Sequence, residues 1–226
     1  MDWIENFDLF LFDLDGLLVD TEQFHFMAYK EMLRRRGFQF PLDYPAYLRM
    51  AGSDSKAPEK YVYSTFPELQ KKEPDWTVLY QEKKQAFLEI VEENQAPLCQ
   101  GAEQLLEELV KKNKRRCVVT HSPLPLVMQL KKQQPILESI PLWLTREDYT
   151  QAKPSPDGYL KAIATFSQPD DRLIGFEDSE RGLKALLQTP ATPILVNSMD
   201  DPMREQYAKQ GIATFRTLDE MCRDFV

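Results

Sequence analysis

Positive charge is in short supply in this sequence of 226 residues, because 28 lysines and arginines face 36 aspartates and glutamates and leave a formal net charge of −8. That balance argues against a nucleic-acid-binding surface. Cysteine is scarce as well, and Cys99, Cys117 and Cys222 are widely separated, with no Cys-x-x-Cys pair among them. A disulfide framework and a zinc site are therefore not expected, and a reducing compartment fits.

Long apolar runs are also missing, since none approaches the roughly 20 residues that a membrane-spanning helix needs. The first residues include Asp2, Glu5 and Asp8, whereas a signal peptide begins with basic residues. We therefore expect a cytoplasmic protein without membrane contact. The length allows a core domain that carries a smaller insertion.

The most informative stretch covers residues 7–22 and has the sequence FDLFLFDLDGLLVDTE. Its apolar residues 9–12 predict a strand that is buried on both faces. Asp13 and Asp15 would share one face of the last pleat, and Gly16 would let the backbone turn out of the sheet. Two carboxylates at a buried strand end stay ionised only if a cation or strong donors compensate them. Capping aspartates are the alternative for an isolated Asp-x-Asp, but the longer string favours a functional pair.

The rest of the chain divides by its periodicity. Residues 23–93 show helical spacing and frequent prolines, and no strand-like run occurs before about Leu98. From Gly101 onward helices and strands alternate, which predicts a parallel doubly wound sheet. We therefore predict an α/β fold whose core comprises residues 1–20 and 97–226, with residues 21–96 inserted as a helical domain.

Polar residues follow three of the predicted strands: Asp13 with Asp15, then Thr120, then Glu177 with Asp178. Open parallel sheets bind ligands beyond the carboxyl ends of their strands, at the point where the strand order reverses. If these three strands are neighbours, their polar ends meet at one crevice.

On these residues the sequence resembles the haloacid-dehalogenase superfamily of phosphotransferases, in particular its β-phosphoglucomutase-like and phosphoglycolate-phosphatase-like branch. The signature of that branch is Asp-x-Asp-Gly-x-Leu-x-Asp-(Ser/Thr)-Glu, which residues 13–22 match. The resemblance implies that Asp13 is the nucleophile, forming an aspartyl-phosphate, and that Asp15 is the general acid and base. True haloacid dehalogenases lack the second acid, so dehalogenation is not expected.

The resemblance assigns further roles outside that signature. Thr120 would hold a phosphate oxygen, His121 could touch substrate, and Lys153 in the string Lys-Pro-Ser-Pro-Asp would bridge the nucleophile and the phosphate. Asp178, the side chain of Asp13 and the carbonyl oxygen of Asp15 would hold Mg²⁺, and Glu177 would support this site. Plain helix or strand capping is the alternative for Thr120 and Asp178.

The inserted helices resemble the cap domain of this branch, which closes over the site and reads the leaving group. Substrate contacts are implied for His25, Arg49, Gly52, Ser53 and Lys83, with Lys84 as an alternative to Lys83. An ordinary solvated helix face is the competing interpretation of these residues.

Three functions are open at this stage. The first is a Mg²⁺-dependent phosphomonoester hydrolase that acts on a small phosphorylated metabolite such as a sugar phosphate or phosphoglycolate. The second is a β-phosphoglucomutase-like phosphomutase with the same core residues and a second phosphate site in the cap. The third is a non-catalytic phosphate-binding protein, which the presence of every core motif residue disfavours. A monomer is expected.

Overall fold

The computed structural model describes residues 1–53, 56–198 and 202–225, and for residues 52 and 53 it describes the backbone. The chain forms two compact units, one of Met1–Asp20 with Ala96–Val226 and one of Thr21–Gln95. The boundary expected between residues 96 and 97 lies one residue further along the chain than the observed one.

The unit Thr21–Gln95 is helical throughout its described secondary structure. Its helices are α1 (Glu22–Arg35), α2 (Tyr44–Ser53), α3 (Ala57–Thr65), α4 (Pro67–Lys72) and α5 (Trp76–Glu93). Asp75 caps α5, since its carboxylate accepts a hydrogen bond from the backbone N–H of Thr77 at 2.9 Å. An aromatic and aliphatic core that includes Met32, Leu33 and Leu79 lies between these helices. The unit therefore has a hydrophobic core of its own.

The other unit is built on a parallel sheet. Its strands are β1 (Leu9–Phe12), β2 (Arg115–Val119), β3 (Leu142–Leu144), β4 (Leu173–Glu177), β5 (Thr192–Val196) and β6 (Ala213–Phe215). They are arranged in the order β3-β2-β1-β4-β5-β6, and every pair is parallel. This order confirms the predicted doubly wound α/β fold and reverses direction between β1 and β4.

Helices alternate with these strands or follow them. They are α6 (Ala102–Lys111), α7 (Leu124–Gln133), α8 (Asp157–Phe166), α9 (Glu180–Leu186), α10 (Pro202–Lys209) and α11 (Leu218–Asp224). Within the described residues, no helix is both long enough and apolar enough to cross a membrane.

The central strand β1 is buried on both faces, as its sequence predicts, because all four residues are 0% exposed. Leu9 and Leu11 pack in one core cluster with Tyr159. On the opposite pleat, the ring centroid of Phe12 lies 4.9 Å from that of Phe176. Apolar packing on both sides fixes the position at which β1 ends, and thus the positions of the acids that follow it.

Candidate active site

The carboxyl ends of β1, β2 and β4 lie side by side. Phe12 is opposite Val118 of β2 on one side and Phe176 of β4 on the other. The backbone N–H of Asp13 continues the ladder by donating to the carbonyl oxygen of Phe176 at 3.1 Å. The polar residues that follow these strands therefore meet at the switch point of the sheet.

Lys153 joins two of these strand ends. Its ammonium nitrogen lies 2.6 Å from Asp13 Oδ1 and 2.7 Å from Glu177 Oε1, and its side chain is 9% exposed. Burial alone would lower the pKa of Lys153, but the charges of the two carboxylates more than offset burial and raise it. The lysine is thus a permanently charged bridge between two acids from distant parts of the sequence.

Glu177 is the most deeply buried of these acids, with 0% exposure. Its Oε1 accepts a hydrogen bond from the hydroxyl of Tyr159 at 2.5 Å, while Oε2 has no hydrogen-bond partner among the described residues. Burial and the nearby charge of Asp13 raise the pKa of Glu177 to about 7, and Lys153 opposes that rise. A Cβ at Gly182 would lie 1.9 Å from Oε2, so only glycine leaves room for this carboxylate.

Asp178 completes a cluster of three carboxylates. One oxygen each of Asp13, Glu177 and Asp178 can be chosen so that all three lie within 4.8 Å of one another. Gly16 has φ 81°, and a Cβ there would lie 2.2 Å from Asp178 Oδ2, so glycine is required both by the turn and by this close approach. The unpartnered Glu177 oxygen and the all-oxygen donor set fit a hard divalent cation such as Mg²⁺.

The carboxylate of Asp15 has a different environment, made by the loop after β2. Its Oδ2 accepts a hydrogen bond from Ser122 Oγ at 2.6 Å and one from Thr120 Oγ1 at 3.2 Å. Thr120 is fully buried, and its hydroxyl also accepts the backbone N–H of Ser122 at 3.0 Å. Asp13 and Asp15 are thus neighbours in sequence, but a lysine contacts the first and two hydroxyls contact the second.

His121 lies at the exposed side of the same loop. Its Nδ1 is 3.3 Å from the hydroxyl of Tyr149, and that hydroxyl donates to the carbonyl oxygen of Thr120 at 2.9 Å. Since the tyrosine proton is already used, Nδ1 of His121 is the donor to Tyr149. A role of His121 toward substrate stays a prediction.

Sequence reasoning missed four residues that contact the site: Ser122, Tyr149, Tyr159 and Asn197. Asn197 donates from Nδ2 to the carbonyl oxygen of Asp178 at 2.7 Å. It follows β5 directly, so the rule that singled out Thr120, a polar residue closing a strand, would have found it. Ser122 and the two tyrosines carry no comparable local signal, because their contacts depend on the tertiary fold.

The helical unit brings together two of its predicted residues. Lys83 Nζ lies 2.7 Å from His25 Nδ1, although the lysine is only 5% exposed. The interpretation of Lys83 as part of a solvated helix face is therefore wrong. Arg49 is exposed on α2. Gly52 and Ser53 end that helix, and for these two residues only the backbone is described.

Comparison with known proteins gives a consistent result. The model of a family described as haloacid dehalogenase-like hydrolase matches residues 10–193. Protein CbbY of Cereibacter sphaeroides is 28% identical over 181 residues, which cover 77% of this chain and 77% of that protein. A phosphorylated carbohydrates phosphatase of Thermotoga maritima is 23% identical over 84% of this chain and 86% of its own.

Among solved structures, CbbY from Rhodobacter sphaeroides in complex with phosphate has a TM-score of 0.73 at 21% identity. The match covers 95% of this chain and 96% of that one. At this identity the structural likeness supports the fold alone.

Proposed function

The chain belongs to the haloacid dehalogenase-like hydrolase family and is a phosphoric monoester hydrolase, and from this premise we propose that it hydrolyses sugar-phosphate-type metabolites through an aspartyl-phosphate on Asp13. One observation carries the proposal, namely that Lys153 Nζ contacts both Asp13 at 2.6 Å and Glu177 at 2.7 Å. An ammonium group at this place offsets the repulsion between the carboxylate of Asp13 and an incoming phosphate.

In the first half of the reaction a carboxylate oxygen of Asp13 attacks phosphorus, and the bond from phosphorus to the ester oxygen breaks. Asp15 delivers its proton to the departing oxygen, so that an alcohol leaves. Thr120, whose hydroxyl contacts Asp15, is proposed to donate to a phosphate oxygen. Lys153 stays in contact with the phosphorylated aspartate.

In the second half Asp15, now ionised, takes a proton from a water molecule that attacks the same phosphorus atom. The bond from phosphorus to Asp13 breaks, and inorganic phosphate is released. Asp13, Glu177 and Asp178 are the carboxylates proposed to hold Mg²⁺, with the carbonyl oxygen of Asp15. When bound there, Mg²⁺ would supply charge neutralisation to the transferring phosphoryl group.

The substrate class is proposed from the relatives. One of them is named for phosphorylated carbohydrates, and a further relative, from Escherichia coli, is named a fructose-1-phosphate phosphatase and is 25% identical over 80% of this chain. Substrate contacts by Arg49 in the helical unit stay a prediction, for which Arg49→Ala with a changed KM is the test.

The decisive experiment is a screen of phosphorylated metabolites with free phosphate as the readout, in Mg²⁺ and after exhaustive chelation. We expect phosphate release from at least one sugar phosphate, and no release by Asp13→Asn. Turnover undiminished in Asp13→Asn would remove Asp13 as nucleophile. A product isomer that forms without free phosphate would instead identify a phosphomutase.

A further inference from the structure

We propose that Ser122 is a positioning residue for the general acid, and that its hydroxyl holds the carboxyl group of Asp15 in the orientation that protonates the leaving alcohol. The inference rests on the proposed function, because it takes Asp15 as the acid. It concerns a residue outside the motif matches, found only through its contact in the folded chain.

The directions of the hydrogen bonds are fixed by the turn. The backbone N–H of Ser122 donates to Thr120 Oγ1 at 3.0 Å, so the hydroxyl hydrogen of Thr120 is directed at Asp15 Oδ2, 3.2 Å away. The hydroxyl of Ser122 donates to the same oxygen at 2.6 Å. When Asp15 is ionised, both hydroxyls donate to Oδ2, and this arrangement favours Oδ1 as the oxygen that takes up the proton.

The backbone of Ser122 is held in place as well. Its carbonyl oxygen accepts the backbone N–H of Arg146 at 3.3 Å, which ties it to the residues after β3. Pro123 follows directly and restricts the backbone conformation of the residue before it. A hydroxyl mounted on such a turn orients its acceptor, and proton transfer depends strongly on orientation.

The two hydroxyls have different tasks during turnover. Thr120 is proposed to donate to a phosphate oxygen, and while it does so its hydrogen is not available to Asp15. Ser122 then remains as the hydroxyl that fixes the carboxyl group. This division explains why a second donor lies on the same oxygen.

The test uses the leaving group, because only a poor leaving group needs the acid. p-Nitrophenolate is a stable anion at neutral pH and departs without a proton, whereas a sugar alkoxide does not. The value of kcat/KM covers only the steps through departure of the leaving group, so the later attack of water does not enter. We therefore compare kcat/KM for p-nitrophenyl phosphate and for a sugar phosphate that the wild type hydrolyses.

In Ser122→Ala we expect kcat/KM for the sugar phosphate to fall about 10- to 100-fold, part of the effect of a complete general acid, and that for p-nitrophenyl phosphate to fall less than about threefold. Ser122→Thr keeps a hydroxyl and should restore most of the loss. Ser139→Ala is the matched control, because it removes a buried hydroxyl that has no hydrogen-bond partner among the described residues.

Equal losses for both substrates would overturn the proposal, since they would make Ser122 a phosphate-binding or purely structural residue. No loss for either substrate would also overturn it. If Ser122→Ala does not fold, Ser122→Cys decides, because a thiol of similar size is only a weak hydrogen-bond donor and should cause the same selective loss for the sugar phosphate. A wild type that hydrolyses neither substrate would refute the proposed function, whereas equal losses in an active enzyme refute only the role of Ser122.

Discussion

Each of the two units buries a lysine, and the two lysines have different neighbours. In the α/β unit Lys153 lies between the carboxylates of Asp13 and Glu177. In the helical unit Lys83 contacts the imidazole of His25 and lies over the rings of Tyr29 and Phe87, at 5.1 and 5.2 Å from their centroids. The difference shows in the pKa values of Lys153 and of His25, the partner of Lys83.

Burial and the Lys83 charge both lower the pKa of His25, to well below its ordinary value of 6.5. The charges of the two carboxylates outweigh the effect of burial and raise the pKa of Lys153. The neighbours of Lys153 stabilise its charge. The charge of Lys83, by contrast, acts on its neighbour His25 and lowers the pKa of that imidazole. Burial alone therefore does not indicate the role of a lysine, whereas the group that its ammonium contacts does.

The largest effect is expected for Lys153→Met. It leaves two buried carboxylates without their cation, so kcat/KM for p-nitrophenyl phosphate should fall about 10²- to 10³-fold. The free energy of unfolding should fall by about 3 kcal/mol or more, measured in urea. Lys132→Met, at an exposed position, is the control. A loss of similar size in Lys83→Met would break the contrast between the two lysines.

The next effect concerns the metal. Mg²⁺ at about 100 times its dissociation constant should stabilise the wild type by about 2.7 kcal/mol, visible as a rise in melting temperature. Asp178→Asn should lose this response, because it removes one of the three clustered carboxylates. Asp224→Asn, at an exposed carboxylate, should keep it. An unchanged response in Asp178→Asn would show that the ion binds elsewhere.

Asp178 could be singled out in the sequence for a physical reason, whereas the role of Lys153 was implied only by the resemblance to the family. Strands such as β1 are apolar on both faces, so their ends are marked sharply by Asp13, Thr120 or Glu177. The parallel topology then makes those ends converge, whatever the intervening sequence. The fold and the meeting of these strand ends could therefore be predicted from the sequence.

Contacts made through side chains of the other elements could not be predicted in this way. Tyr159 reaches Glu177 from α8, and nothing in its local sequence indicates this partner. The contact between Lys83 and His25 joins α5 to α1, and each residue alone has the pattern of a solvated helix face. Such pairs depend on how helices pack, which local periodicity does not determine.

A smaller effect is expected from pH, and it arises in the helical unit. The pKa of His25 is lowered on folding. As the pH falls through about 6.5, His25 therefore binds a proton in the unfolded chain but not in the folded chain. Stability from this group is present above pH 6.5 and is lost as the pH falls below it, by at most about 1.4 kcal/mol per pH unit. Urea unfolding at pH 7.5 and 5.5 in wild type and His25→Gln measures the difference. His121→Gln should retain the full dependence, and a dependence retained by His25→Gln instead would assign it to other groups.

The smallest effect sharpens the contrast between the two lysines most directly. Lys83→Met removes a positive charge 2.7 Å from His25 Nδ1, so the pKa of His25, followed by NMR titration, should rise. It should stay below 6.5, because burial is the larger cause of the shift and remains. The sequence has two histidines, so His121→Gln assigns the signal. An unchanged pKa would mean that Lys83 carries no charge at this position, and the two buried lysines would then differ in charge as well as in partner.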